Sequence, residues 1–269
     1  MFTEPAPTPY DLRWTMFGIP VRVHPFFWLI SLLMGSGGGD LNLTHLTIWI
    51  ACVFVSILIH ELGHVWMGQV FGSHGHIVLY SLGGLAIGSA NLHRRWQRIA
   101  VSAAGPGAGF VFLALLLAVL WVVNPATFPA FVYAPALMFG IPIDWLPVLQ
   151  ARPNHLLQIA VFYLIFINLI WGLVNLLPIW PLDGGQISRE VCEGISEARG
   201  LTTSLGISMV TAGVLALHCF VVAAGREFLP LPFGGFYAGF FFAVMAVQSF
   251  LAMQQAYQKR NWMDQHWDD

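Results

Sequence analysis

Long apolar runs leave this chain few choices of fold. They lie at roughly 46–71, 98–123, 155–177, 203–224 and 233–257, and each exceeds the about 20 residues a helix needs to cross a bilayer. A sixth, 25–36, is shorter and opens after GIPVRVHP, where alternating Val21 and Val23 suggest a brief strand. Charged residues are only 9% of the 269 positions, whereas a soluble domain carries about 25%. The expected fold class is therefore an all-α polytopic membrane protein of about six transmembrane helices, with a small membrane-associated β hairpin or sheet. Neither an internal repeat nor an appended soluble domain is visible, so residues 1–269 read as one domain.

Six spans would put both termini on one side. That side then holds Arg13, Arg22, Arg94, Arg95, Arg98, Arg189, Arg199, Lys259 and Arg260, leaving only Arg152 and Arg226 opposite. Basic residues gather on the cytoplasmic side of membrane proteins, so both termini are expected in the cytoplasm. The outward 124–154 connection carries six prolines among aromatics. It reads as an interfacial loop, with a lid or substrate gate as the sharper alternative.

A net charge of −2 gives no reason to expect a nucleic-acid partner. Cys52 and Cys219 fall in apolar runs and Cys192 in a polar loop, a separation that argues against disulfides and a cysteine-based metal site. The opening MFTEPAPTPYDLRW lacks the basic start and cleavage site of a secretory signal and is expected to belong to the mature protein.

The second run contains ILIHELGHVWMG. Ionisable groups within a span are expensive and mark function by default. His60-Glu61-Leu62-Gly63-His64 is an HExxH match: positions i and i+4 share a helix face, so both imidazoles can grip one metal ion while Glu61 reaches a water beside it. A catalytic zinc site takes three protein ligands and keeps one position open. For the third, Asp183 is the candidate, as the only acidic residue between Asp144 and Glu190, although a lone Asp at a helix end more often caps the next helix. Topology favours a ligand. Runs two and four travel the same way, and His64 and Asp183 both fall in the cytoplasmic half of the membrane.

HELGH inside a span, followed over a hundred residues later by Asn175-Leu-Leu-Pro-Ile-Trp-Pro-Leu-Asp183-Gly184, resembles the site-2 protease family of intramembrane zinc metalloproteases. GIPVRVHP and GGLA extend the resemblance over most of the chain. It implies a single intramembrane metalloprotease domain in which His60, His64 and Asp183 bind one zinc ion per chain. Glu61 is then the general base activating the attacking water, and Asn175 stands near the active site to hold the substrate or the oxyanion. Many members carry an Asn shortly after Gly-Pro in the third span, where this chain has Gly105-Pro106-Gly-Ala-Gly109; small residues there permit close helix packing. No PDZ-like or CBS-like domain is expected.

The implied activity is hydrolysis of peptide bonds within or near transmembrane segments of membrane-protein substrates, in a prokaryotic cell membrane. Water must reach the site, so a polar path from the cytoplasm is expected. The substrate must unwind, and His76–Gly88, read as a hairpin turning around Gly83-Gly84, offers an edge for it. His74 and His76 read as interfacial, and His218 with Cys219 as packing or hydrogen-bonding residues. Two other classes compete: a non-proteolytic membrane zinc-binding or transport protein, disfavoured by outer half-spans nearly devoid of ionisable groups, and a helix-binding scaffold, disfavoured by an intact Glu61.

Overall fold

The computed structural model describes residues 4–36, 42–81, 83–89, 92–125, 128, 129, 131, 155–226, 228, 229, 231 and 233–266. They fall into two compact units, one running to Leu173 and the other from Val174 onward. Most of the 124–154 connection lies outside the described residues.

The first unit opens with strands β1 (Leu12–Met16) and β2 (Ile19–Val23). Phe17 and Gly18 between them both have positive φ, as a two-residue hairpin turn requires if its twist is to match the strands. Helix α1 (Pro25–Gly35) follows, with Pro at its first position and the His24 side chain accepting a bond from the Phe26 amide. Its 11 residues rise about 16 Å, roughly half a bilayer core. This helix alone is therefore shorter than a full span, in keeping with the short 25–36 run.

Helix α2 (Leu43–Val70) returns toward the sheet. It starts three residues before the apolar run because Asn42 caps it through the Thr44 and His45 amides. Strands β3 (His76–Tyr80) and β4 (Gly83–Ile87) complete a sheet ordered β1-β2-β3-β4. The β1–β2 and β3–β4 pairs are antiparallel, while β2 and β3 are parallel, with Val21 opposite Ile77 and Val23 opposite Leu79. Parallel neighbours need a long crossover, and α1 with α2 supplies it. Ile19, Val21, Val23, Ile77 and Leu79 join Phe27, Ile57, Leu58, Leu62 and Val65 in one buried core. The hairpin turns before Gly83-Gly84 rather than around them; both glycines lie in β4, with Gly83 opposite Tyr80.

Helix α3 (Arg95–Val123) packs closely on α2, since a Cβ on Gly63 would overlap the Ala104 carbonyl. Next come α4 (His155–Phe166), a π-helical turn (Ile167–Trp171) and α5 (Gly172–Asn175), which form one apolar segment. Asn168 in the π turn donates to Ser56 Oγ at 2.9 Å and to the Leu164 carbonyl at 2.8 Å. Its Oδ1 lies against Gly109, where a Cβ would sit 3.3 Å away.

The second unit contains α6 (Asp183–Ile195), α7 (Gly200–Ala223) and α8 (Phe236–His266). Ile179, Leu182, Ala212, Leu215, Cys219 and Phe242 form its core. His218 accepts from the Leu229 amide at Nδ1, which leaves Nε2–H to donate to the Phe233 carbonyl at 2.8 Å. Among the described residues, five helical segments are long and apolar enough to cross a membrane: Leu43–Val70, Arg95–Val123, Leu156–Asn175, Gly200–Ala223 and Phe236–Arg260. They are the five long runs of the sequence.

Candidate metal centre

His60, Glu61 and His64 stand on consecutive turns of α2 where the helix is covered on all sides. Each is at least nine-tenths buried, and their ligand atoms lie within 4.8 Å of one another. They are the one such cluster of three or more among the described residues. The two imidazoles meet edge to face, Nε2 to Nε2 at 3.1 Å. His64 Nδ1 is 2.7 Å from the Val101 carbonyl on α3, a contact only an N–H can make favourably. That bond puts the proton on Nδ1 and leaves Nε2 a bare lone pair aimed at His60. A backbone carbonyl orienting a histidine from behind is the usual support of a metal-ligating imidazole.

The donor set fits zinc. With zinc–nitrogen distances near 2.0–2.1 Å and tetrahedral angles, two ligand nitrogens stand about 3.3 Å apart, close to the separation seen here. Gly105 explains how α3 comes near enough: a Cβ there would run into both imidazoles. Glu61 is pinned in the same way from the sheet side, because a Cβ on Gly84 of β4 would overlap its carboxyl. Gly84 therefore serves a close approach rather than a turn, and Gly105 admits the imidazoles as well as close helix packing. Their spacing beside HELGH is invisible in one dimension, and only the paired glycines within an otherwise strand-like run hinted at a close approach.

Asp183 and Asn175 belong to the second unit. Asp183 is the first residue of α6, one position past the cap residue Leu182, where a carboxylate is favoured by the helix dipole. Its Oδ2 atom is shielded from solvent. Gly184 and Gly185 do not act by sharp turning, since neither has positive φ. They permit contact: a Cβ on either would strike the backbone at Leu176–Leu177 or Ile179–Trp180. Asn175 closes α5 with its side chain buried. His76 lies away from this cluster, 3.4 Å from the Glu4 carboxylate.

An acidic and basic network ties the N-terminal segment to the sheet. Arg22 on β2 donates to Glu4, the Pro5 carbonyl and Asp11 at 2.7, 2.9 and 3.1 Å. Burial opposes ionisation of Asp11, but bonds from the Thr8 hydroxyl and amide, then from Arg22 and Arg13, outweigh it. They hold its carboxyl well below the usual carboxylate range.

A zinc metalloprotease of Methanocaldococcus jannaschii is 25% identical over 222 residues, which cover 79% of this chain and 57% of that one. The stage IV sporulation protein FB of Bacillus subtilis is 28% identical over 179 residues, 65% of this chain and 48% of its own. The chain thus spans about half the length of these relatives. A solved structure, the site-2 protease from Methanocaldococcus jannaschii, aligns over 93% of this chain and 94% of its own with TM-score 0.48 and 21% identity. The pattern of peptidase family M50 matches residues 48–218, from the first half of α2 to near the end of α7, taking in His60, Glu61, His64 and Asp183. The chain is an integral membrane protein and belongs to peptidase family M50.

Proposed function

We propose that this chain is an intramembrane zinc endopeptidase that hydrolyses peptide bonds within or beside transmembrane segments of other membrane proteins. The observation that carries the reading is the buried pair of imidazoles, Nε2 atoms 3.1 Å apart, with Glu61 between them on a helix fit to span the bilayer. His60, His64 and Asp183 would hold the metal. Bound there, zinc supplies Lewis acidity, polarising a carbonyl and lowering the pKa of a water toward about 7.

The chain's own groups do the rest. Glu61 takes the proton of the attacking water and delivers it to the leaving amine. Gly84 lets β4 lie against that carboxyl and keeps it in one position. The Val101 carbonyl keeps His64 in the tautomer that offers Nε2 outward. Asn175 is assigned to hold the substrate or the developing oxyanion. Among the described residues strand β4 pairs with β3 on one edge only, and its other edge receives the unwound substrate as an added strand, satisfying its backbone groups away from water.

The site is placed in the cytoplasmic half of the membrane. The sheet joins Leu12–Val23 to His76–Ile87, so the N-terminal segment and the 72–97 loop share a side, as the basic-residue asymmetry requires. Purified chain should bind about one zinc and cleave a model transmembrane peptide, and Asp183→Ala should lose most of that zinc. Full zinc retention in Asp183→Ala would show that the third ligand lies elsewhere, and a chain that takes up no zinc would remove the proposal altogether.

A further inference from the structure

An apolar cavity of about 160 Å³ opens between α1, α2, the π turn and the tip of the β3–β4 hairpin. Trp49, Val53, Ile57, Ser81, Ile170 and Trp171 line it. Three features connect it to the metal centre. Trp49, Val53 and Ile57 recur every fourth residue on α2, and the next position in that row is Glu61, so the wall residue Ile57 stands one helical turn, a rise of about 6 Å, before Glu61. Ser81 sits at the turn leading into β4, three residues before Gly84, the point where β4 touches Glu61. The π turn widens the fourth span here and supplies Ile170 and Trp171, and such interruptions of a helix concentrate at functional sites.

We infer that this cavity is a specificity pocket that receives one large apolar side chain of the substrate, from a residue within three positions of the scissile bond. The inference rests on the proteolytic reading above. An added strand along β4 advances about 3.3 Å per residue, so the rise of about 6 Å between Ile57 and Glu61 and the three positions between Ser81 and Gly84 both correspond to two or three residues of substrate. An apolar cavity of about 150 Å³ is enough to enclose a benzene ring, which sets the occupant as Leu, Met or Phe in size. Transmembrane substrates are rich in those residues. The pocket would thus choose among peptide bonds along an unwound helix that otherwise looks uniform.

The test uses one model transmembrane peptide varied at a single position near its cleavage site, as Ala, Leu or Phe. Wild-type protein should cleave the Leu and Phe forms with kcat/KM about tenfold or more above the Ala form, the discrimination a hydrophobic pocket provides. Ile170→Trp, which fills the cavity, should erase that preference; Ile170→Ala, which enlarges it, should shift preference toward Phe. Each preference is a ratio within one preparation and does not depend on how much of a variant folds. Should Ile170→Trp cleave nothing, the Ile170→Ala ratio decides alone. Unchanged ratios, or an equal fall for all three peptides as expected if a lipid chain fills the cavity, would overturn the inference while leaving proteolysis intact. Failure of the wild type to cleave any of the peptides would overturn the proteolytic reading and this inference with it.

Discussion

Hydrogen atoms placed by a single contact decide whether two buried histidines can serve as ligands. Here His64 Nδ1–H donates to the Val101 carbonyl, so its Nε2 lone pair faces His60 Nε2 at 3.1 Å, a separation at which the two ring nitrogens can share one cation. Gly84 and Gly105 are the other half of the design, because each clears space that a methyl group would take from Glu61 or from the imidazoles. Gly84→Ala is predicted to displace the Glu61 carboxyl without removing a ligand. Zinc content should stay near wild type while cleavage falls about 100-fold, the scale of loss from a 1 Å misplacement. Metal analysis beside a kinetic assay would check it, and zinc loss in parallel with activity would show that β4 supports the ligands instead. At this scale His60, Glu61 and His64 were legible from spacing alone, because i and i+4 fix a shared face whatever surrounds the helix. The glycines were not, since what they admit comes from more than 20 residues away.

Among the elements, the long apolar runs carried over into helices almost unchanged, for hydropathy and length suffice when the solvent is lipid. Their starts moved where polar first turns extend the helix, as at Asn42–His45 and Arg95. Strand pairing could not be read, because β2 and β3 lie more than 50 residues apart and their register depends on Val21 and Val23 meeting Ile77 and Leu79. The N-terminal strap is likewise a tertiary product, held by Asp11 and Arg22. Because Asp11 has a folded pKa below its unfolded value, its contribution is fully present above about pH 4 and fades as pH falls below that. Asp11→Asn should therefore lower the thermal midpoint in detergent at neutral pH, with the gap to wild type closing below about pH 4. A gap that is constant with pH would assign the effect to lost packing rather than to the charge.

For the whole molecule, the proposed orientation rests on the basic residues and on the sheet that holds the N-terminal strands beside the 76–87 segment. His74 is exposed at the sheet end of α2, and Asn124 caps the far end of α3. In a background lacking the three native cysteines, a Cys at 74 should react only with reagent on the cytoplasmic side, and a Cys at 124 only with reagent on the other. The reverse pattern would invert the placement of the site. Of the six spans read from the sequence, α1 proves to be half a span, too short on its own to carry the chain across. Its shortness was legible in the 25–36 run, and the fold packs the helix against Trp49 and Phe54.

The central claim is that a water is activated by Glu61 inside a spanning helix at a zinc site built from His60 and His64. The most direct measurement pairs zinc content with cleavage of a transmembrane peptide in Glu61→Gln. Removing a general base costs about 10²–10⁴-fold, so the account predicts near-stoichiometric zinc together with a loss of that size. Cleavage at the wild-type rate with zinc still bound would contradict it.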